Sequence, residues 1–164
     1  MMRKNNYLIL SGGTGGHVIP AVNFGNFIIK KGYKCYLLID ERGEKYTSSF
    51  KGQIRIINSS HFSYNFFGKI RAVIFHIIGF FQSLKYILII RPRSCIAFGG
   101  YATFTPLIVL VFFRIFGLTK IFLHEQNSVM GKVNIVFTPF ANKIFLNFEK
   151  TFKIKNNFKK KSFV

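Results

Sequence analysis

Short apolar runs alternate with longer stretches whose apolar residues recur at helical spacing, and this pattern extends along almost the whole chain. Tyr7–Leu10 has the length and composition of a buried strand. Val18–Lys31 spaces Val18, Ala21, Val22, Phe24, Ile28 and Ile29 as a helix, with Gly32 as its stop. Cys35–Ile39 reads as a second strand ending at Asp40, and Gln53–Asn58 as a third, with Ile54 and Ile56 in alternation. Ser59–Gly68 is polar and aromatic and reads as a loop. Lys69–Ile90 predicts a long helix ended by Arg91-Pro92. Its Ile70, Val73, Ile74, Ile77, Phe81, Leu84 and Leu88 share a face, which Phe75, Ile78, Phe80 and Ile87 widen beyond the needs of one sheet contact. Cys95–Phe98 is a fourth strand. Thr105–Phe116 is an apolar helix with Pro106 in its first turn and Gly117 after it. Lys120–Leu123 is a fifth strand, Gly131–Phe140 a short helix interrupted by Pro139, and Lys143–Phe148 a sixth strand. Lys150–Val164 carries six Lys and no acid and reads as a frayed basic tail, which places the domain at 1–149.

Six strands interleaved with helices predict an α/β fold with an open, mostly parallel sheet. Such sheets bind ligands outside the carboxyl ends of their strands. The first, fourth and fifth strands run into Ser11–His17, Gly99-Gly100-Tyr101 and His124-Glu125-Gln126-Asn127, so three glycine or polar clusters are expected along one edge.

The first cluster, Ser11-Gly12-Gly13-Thr14-Gly15-Gly16-His17, lies between a strand and a helix. That arrangement aims free backbone N–H groups at an anion, and glycine lets a phosphate approach closely. The spacing departs from the dinucleotide fingerprint, because Val18 stands where the third glycine belongs, and no Lys-Ser/Thr closes it as a Walker loop. A tight turn without a ligand is the competing reading. His17 adds a titratable ring at the helix entrance. Asp40 stands where a dinucleotide fold places its ribose-binding acid; with this first loop, a solvated strand end or helix cap is the better fit.

Charge narrows the choice of partner. The 164 residues hold 24 Lys+Arg against 5 Asp+Glu, a net charge of +19, and no acid occurs from Lys45 through His124. Such a surface favours polyanions: phosphorylated substrates, anionic lipid or nucleic acid. Cys35 and Cys95 sit within apolar runs, without metal-site spacing, and read as buried free thiols in a reducing compartment. No signal peptide is evident, and no run of about 18 uninterrupted apolar residues marks a spanning helix.

Three clusters in this order resemble the MurG family. Gly12-Gly13-Thr14-Gly15-Gly16-His17 with Pro20-Ala21, then Phe98-Gly99-Gly100-Tyr101, then His124-Glu125-Gln126-Asn127 with Gly131-Lys132-Val133-Asn134 carry the resemblance, which covers residues 7–148. It implies a Rossmann-like half of a GT-B glycosyltransferase. That family transfers N-acetylglucosamine from UDP-N-acetylglucosamine to the undecaprenyl-pyrophosphoryl muramoyl-pentapeptide of peptidoglycan, with inversion; no cofactor is expected, and the sequence holds no Asp-x-Asp pair for a metal. The chain matches the N-terminal, acceptor-side half. The family's Asn-Pro-x-Arg linker and nucleotide-holding half have no counterpart in these residues, so the lone chain is expected to be inactive, either as a truncated half or as one completed by a separate C-terminal-half chain.

By the same resemblance, Thr14, Gly15, Gly16 and Asn127 would touch the donor. Gly12, Gly13, Gly99, Gly100 and Tyr101 would line the acceptor diphosphate, with packing as the alternative for Tyr101. His17 would be the general base for the acceptor hydroxyl or only a diphosphate ligand. His124 would hydrogen-bond in the crevice or serve structure. Glu125 would orient a histidine or cap the following helix.

An enzyme acting on a lipid must reach a bilayer. Phe62–Ile90 holds Phe62, Phe66, Phe67, Phe75, Phe80 and Phe81 flanked by Lys69, Arg71, Lys85, Arg91 and Arg93, the composition of an interfacial element; a core helix on the sheet with a solvated basic face is the competing reading, and one face is expected to pack while the other and its preceding loop touch lipid. A peripheral location at the cytoplasmic face of the plasma membrane follows as the expectation. The alternative function is a non-catalytic, basic membrane-associated subunit or binding module. RNA recognition ranks low, because the aromatics fall in helical or buried patterns rather than on an exposed sheet face.

Overall fold

The computed structural model describes residues 6–60 and 65–164. Seven parallel strands form one sheet: β1 (Asn6–Leu10), β2 (Lys34–Ile39), β3 (Gln53–Ile56), β4 (Ser94–Ala97), β5 (Lys120–Glu125), β6 (Lys143–Leu146) and β7 (Ser162–Phe163), in the order β3-β2-β1-β4-β5-β6-β7. Among the described residues, five α-helices connect the first six strands: α1 (Gly15–Lys30), α2 (Glu41–Glu44), α3 (Phe66–Ile90), α4 (Phe104–Ile115) and α5 (Lys132–Phe137). Alternate residues of each central strand enter opposite cores. Leu8 and Leu10 pack with α3, α4 and α5 on one face, and Ile9 packs with α1 on the other. Burial on both faces explains why these strands are continuous apolar runs.

Register decides where the loops begin. Leu10 pairs with Ala97, and Ala97 with Leu123. Ser11, Phe98 and His124 therefore follow at one level on three adjacent strands, β5 alone continuing in the sheet to Glu125, and the three clusters start side by side.

Two expectations are corrected. Of the broad apolar face of α3 only Phe80, Leu84 and Ile87 pack on the core. The buried residues are Ala72, His76, Gly79, Ser83, Ile87 and Ile90, whereas Ile70, Val73, Ile74, Ile77, Phe81 and Leu88 are exposed. Close approach selects the small face: a Cβ on Gly79 would strike the Asn58 carbonyl oxygen, and Ser83 turns its hydroxyl back onto the Gly79 carbonyl at 2.6 Å. Gln82 ties the same approach by donating to Asn58 Oδ1 and accepting from the Asn58 N–H. With 25 residues and a mean hydropathy of 1.9 over its most apolar 18-residue window, α3 is long and apolar enough to cross a membrane, yet one side of it is seated on the domain. Phe62 lies outside the described residues.

The basic tail is not frayed. β7 extends the sheet by pairing Ser162 and Phe163 with Ile144 and Phe145. Phe152 bridges Val129, and Lys161 donates to the Ala141 carbonyl at 2.8 Å. Ile154 and Phe158, set among the lysines, pack on the core and supply the anchoring that charge alone would deny.

Candidate active site

The first two glycine loops touch through backbone. Gly100 has φ +90 and ψ 159, a region essentially restricted to glycine. A Cβ there would sit 2.5 Å from the Gly12 carbonyl oxygen. Gly12 is buried in turn, and a Cβ on it would collide with the Ala102 side chain. These two glycines let one loop lie on the other.

The first loop divides its donors. Gly13, at φ +82, gives its N–H to Asp40 Oδ1 at 2.8 Å, so this donor, expected at a diphosphate, is already engaged. Asp40 itself is corrected from solvated strand end to buried carboxylate: it is 2% exposed, pairs with Arg42 and lies 3.4 Å from the Ser59 hydroxyl. It stands at the N-cap of α2 without a side-chain cap bond. Its carboxylate holds the glycine loop instead. α1 starts three residues before the sequence pattern indicates, at Gly15, and Thr14 at its N-cap makes no side-chain cap bond. The Gly15 and Gly16 N–H groups therefore open the first turn as unpaired donors at the positive end of the helix. Thr14 and Gly16 are exposed.

His17 joins this loop to the other two. Its Nδ1 lies 3.1 Å from Gln126 Oε1. A Cβ on Gly99 would be 3.5 Å from its Cε1. Gln126 Nε2 donates to the Phe98 carbonyl at 2.9 Å. That bond fixes the amide: the carbonyl takes only a donor, so the amide oxygen faces His17. An amide oxygen only accepts, so Nδ1 is the donor, and in a neutral imidazole of this tautomer Nε2 holds the lone pair. Gln126 and Asn134 are the two contributors that the motif contained without an assigned task.

Glu125, 1% exposed, organises the third cluster rather than either histidine. Oε1 accepts from the Asn127 backbone N–H and side-chain amide; Oε2 accepts from the Gly131 N–H, at the N-cap of α5, and from Asn134 Nδ2. Asn127 is exposed with its amide nitrogen steered by Glu125. His124 stacks on Phe98 at 4.7 Å between ring centroids, and burial lowers its pKa from the ordinary 6.5, with Glu125 opposing. Its Nδ1 is buried without a hydrogen-bond partner. A groove of about 490 Å³ passes His124, Gln126, Phe98, Phe24 and Asn147. Tyr101 is exposed, with the Arg42 guanidinium 6.0 Å from its ring centre. Cys35 and Cys95 are buried free thiols on β2 and β4, and burial raises Cys35 to about 12.

This shelf of amide donors, an oriented imidazole and an exposed amide on three adjacent strand ends accompanies a match of residues 7–146 to the glycosyltransferase family 28 N-terminal domain. The chain belongs to this family. The family 28 domain is 36% identical over 149 residues to the UDP-N-acetylglucosamine--N-acetylmuramyl-(pentapeptide) pyrophosphoryl-undecaprenol N-acetylglucosamine transferase of Rickettsia canadensis, covering 91% of this chain and 39% of the relative. It is 38% identical over 143 residues to the protein of the same name from Rickettsia prowazekii, covering 87% and 35%. The family 28 domain thus spans well under half the length of the curated relatives it matches. Its fold is similar to Acinetobacter baumannii MurG, with a TM-score of 0.76 and 22% identity over 92% of this chain and 44% of that one. It is also similar to the kitacinnamycin glycosyltransferase, with a TM-score of 0.57 and 12% identity over 84% and 34%.

Proposed function

We propose that this domain is the acceptor-side half of an inverting transferase that moves N-acetylglucosamine from UDP-N-acetylglucosamine to an undecaprenyl-pyrophosphoryl muramoyl-pentapeptide. One observation carries the reading: the His17–Gln126–Phe98 chain of hydrogen bonds links all three clusters at the first turn of α1. In the reaction the acceptor hydroxyl attacks the anomeric carbon, the bond to UDP breaks, and His17 Nε2 takes the hydroxyl proton. Charge grows on the leaving diphosphate. The Gly15 and Gly16 N–H groups, with the α1 dipole behind them, stabilise it without reorganising. Thr14 and Asn127 border the donor; Gly99, Gly100 and Tyr101 border the acceptor diphosphate. Gly12 and Gly13 act by shaping the loop. His124 and Glu125 support it from beneath.

The uridine is held by a second, C-terminal half, supplied by a longer chain or a separate one. The domain sits peripherally on the cytoplasmic face of the plasma membrane through the exposed stripe of α3, including Phe66 and Phe67 at 72% and 82% exposure, and through Phe112, Ile115 and Phe116 of the α4 end. Lys69, Arg71, Lys85 and Arg114 border these apolar surfaces with positive charge.

The test is sugar transfer by the 164-residue chain, alone and with a supplied C-terminal half. Transfer is expected only with that half, and His17→Ala should abolish it. Turnover by the lone chain would overturn the need for a partner; full turnover by His17→Ala would overturn the base.

A further inference from the structure

The first glycine loop presents a puzzle. The site proposed above takes diphosphates, yet one backbone donor of its first glycine loop, Gly13, is spent on a buried carboxylate. An uncompensated Asp40 would place negative charge where a diphosphate must arrive. Arg42 removes that conflict. Its Nε and Nη2 converge on Asp40 Oδ2 at 2.8 and 2.6 Å, while Oδ1 receives Gly13. Two of the five guanidinium N–H groups are thereby used and three remain. The side chain is half exposed. It lies over Tyr101 of the second loop, and Nη2 is 3.7 Å from where a Gly13 Cβ would sit.

Resting on that reading of the site, we propose that Arg42 is a substrate-contacting residue: held by Asp40 and flanked by Tyr101, its free guanidinium edge binds a diphosphate ester at the junction of the two glycine loops. Asp40 acts as its positioning residue. The pair converts a donor lost at Gly13 into a charged, forked donor of the geometry phosphate oxygens accept in pairs. The diphosphate belongs either to the nucleotide donor or to the lipid acceptor, and the two sources are separable.

The experiment is calorimetric titration of the full 164-residue chain with a prenyl diphosphate, with UDP, and with the matching monophosphates. Arg42→Ala and Arg42→Gln should weaken diphosphate binding about 10- to 100-fold. Arg42→Lys should recover part of it, since lysine keeps the charge but not the fork. Asp40→Asn should weaken it with Arg42 intact, and monophosphates should respond less than diphosphates. A loss confined to the prenyl diphosphate assigns Arg42 to the acceptor, one confined to UDP assigns it to the donor, and a loss of both assigns it to a shared rim. If Arg42→Ala fails to fold by circular dichroism, Arg42→Lys, which retains the pair with Asp40, carries the test. Unchanged affinities across the Arg42 variants, or no diphosphate binding by the wild-type chain, would overturn the inference. Sugar transfer with a supplied C-terminal half is scored separately, so a failed binding test and a failed transferase reading remain distinct.

Discussion

Replacing Gly100 by alanine probes the contact on which the site is built. The backbone there lies at φ +90 and ψ 159, where a side chain costs about 1–3 kcal/mol. The new Cβ would also meet the Gly12 carbonyl oxygen at 2.5 Å and its carbon at 3.1 Å. Backbone cannot swing aside as a side-chain tip can, so overpacking adds about 1–3 kcal/mol. The sum, about 2–6 kcal/mol, is a large part of the roughly 5–15 kcal/mol that holds a domain folded. At roughly 2–4 °C per kcal/mol for a chain of this size, Tm should fall by about 4–24 °C. Gly32→Ala is the control: φ is +86 but nothing lies within 4 Å of its Cβ position. That change meets only the backbone term, about 1–2 kcal/mol. Thermal melts followed by circular dichroism compare the two. Equal losses would refute the loop-on-loop packing.

Other perturbations separate the remaining parts. Ile77→Glu and Phe81→Glu on the exposed α3 stripe should change stability by less than about 0.5 kcal/mol, yet markedly reduce sedimentation with anionic vesicles; unchanged sedimentation would remove the membrane role of that stripe. Glu125→Ala deprives four N–H donors of their acceptor and should cost at least about 3 kcal/mol in urea melts. Burial lowers the pKa of both His124 and His76 from 6.5, so the unfolded chain binds protons first as the medium acidifies. Stability should therefore fall as pH drops through about 6.5, and the double variant His76→Gln/His124→Gln should flatten that part of the Tm–pH curve.

The sheet and the meeting of the clusters were legible in the chain because both rest on local signals. Apolar runs mark the strands, and glycines or polar residues follow three of them directly. What escaped depends on distant partners. Asp40 looks like a strand end until Gly13 and Arg42 are brought to it. The packed face of α3 is invisible to hydropathy, since Ala72, Gly79 and Ser83 are chosen for size and their neighbours at 70, 73, 74 and 77 are the more apolar. The tail reads as solvated from its lysines, although Phe152, Ile154, Phe158 and Phe163 decide its course. The grip of Glu125 on Gly131 and Asn134 spans six and nine residues, within reach of the motif's own spacing, and helix capping was the part of it that spacing could indicate.

The central claim is that backbone amides at the ends of β1 and β4, tied by side chains to the end of β5, form one diphosphate-binding rim. Titrating the uniformly 15N-labelled chain with a prenyl diphosphate and following amide shifts tests it most directly. The account predicts saturable shifts at Gly15, Gly16 and His17 together with Gly99 and Gly100. Shifts confined to the lysine-rich segment 150–161, with those five amides unmoved, would contradict it.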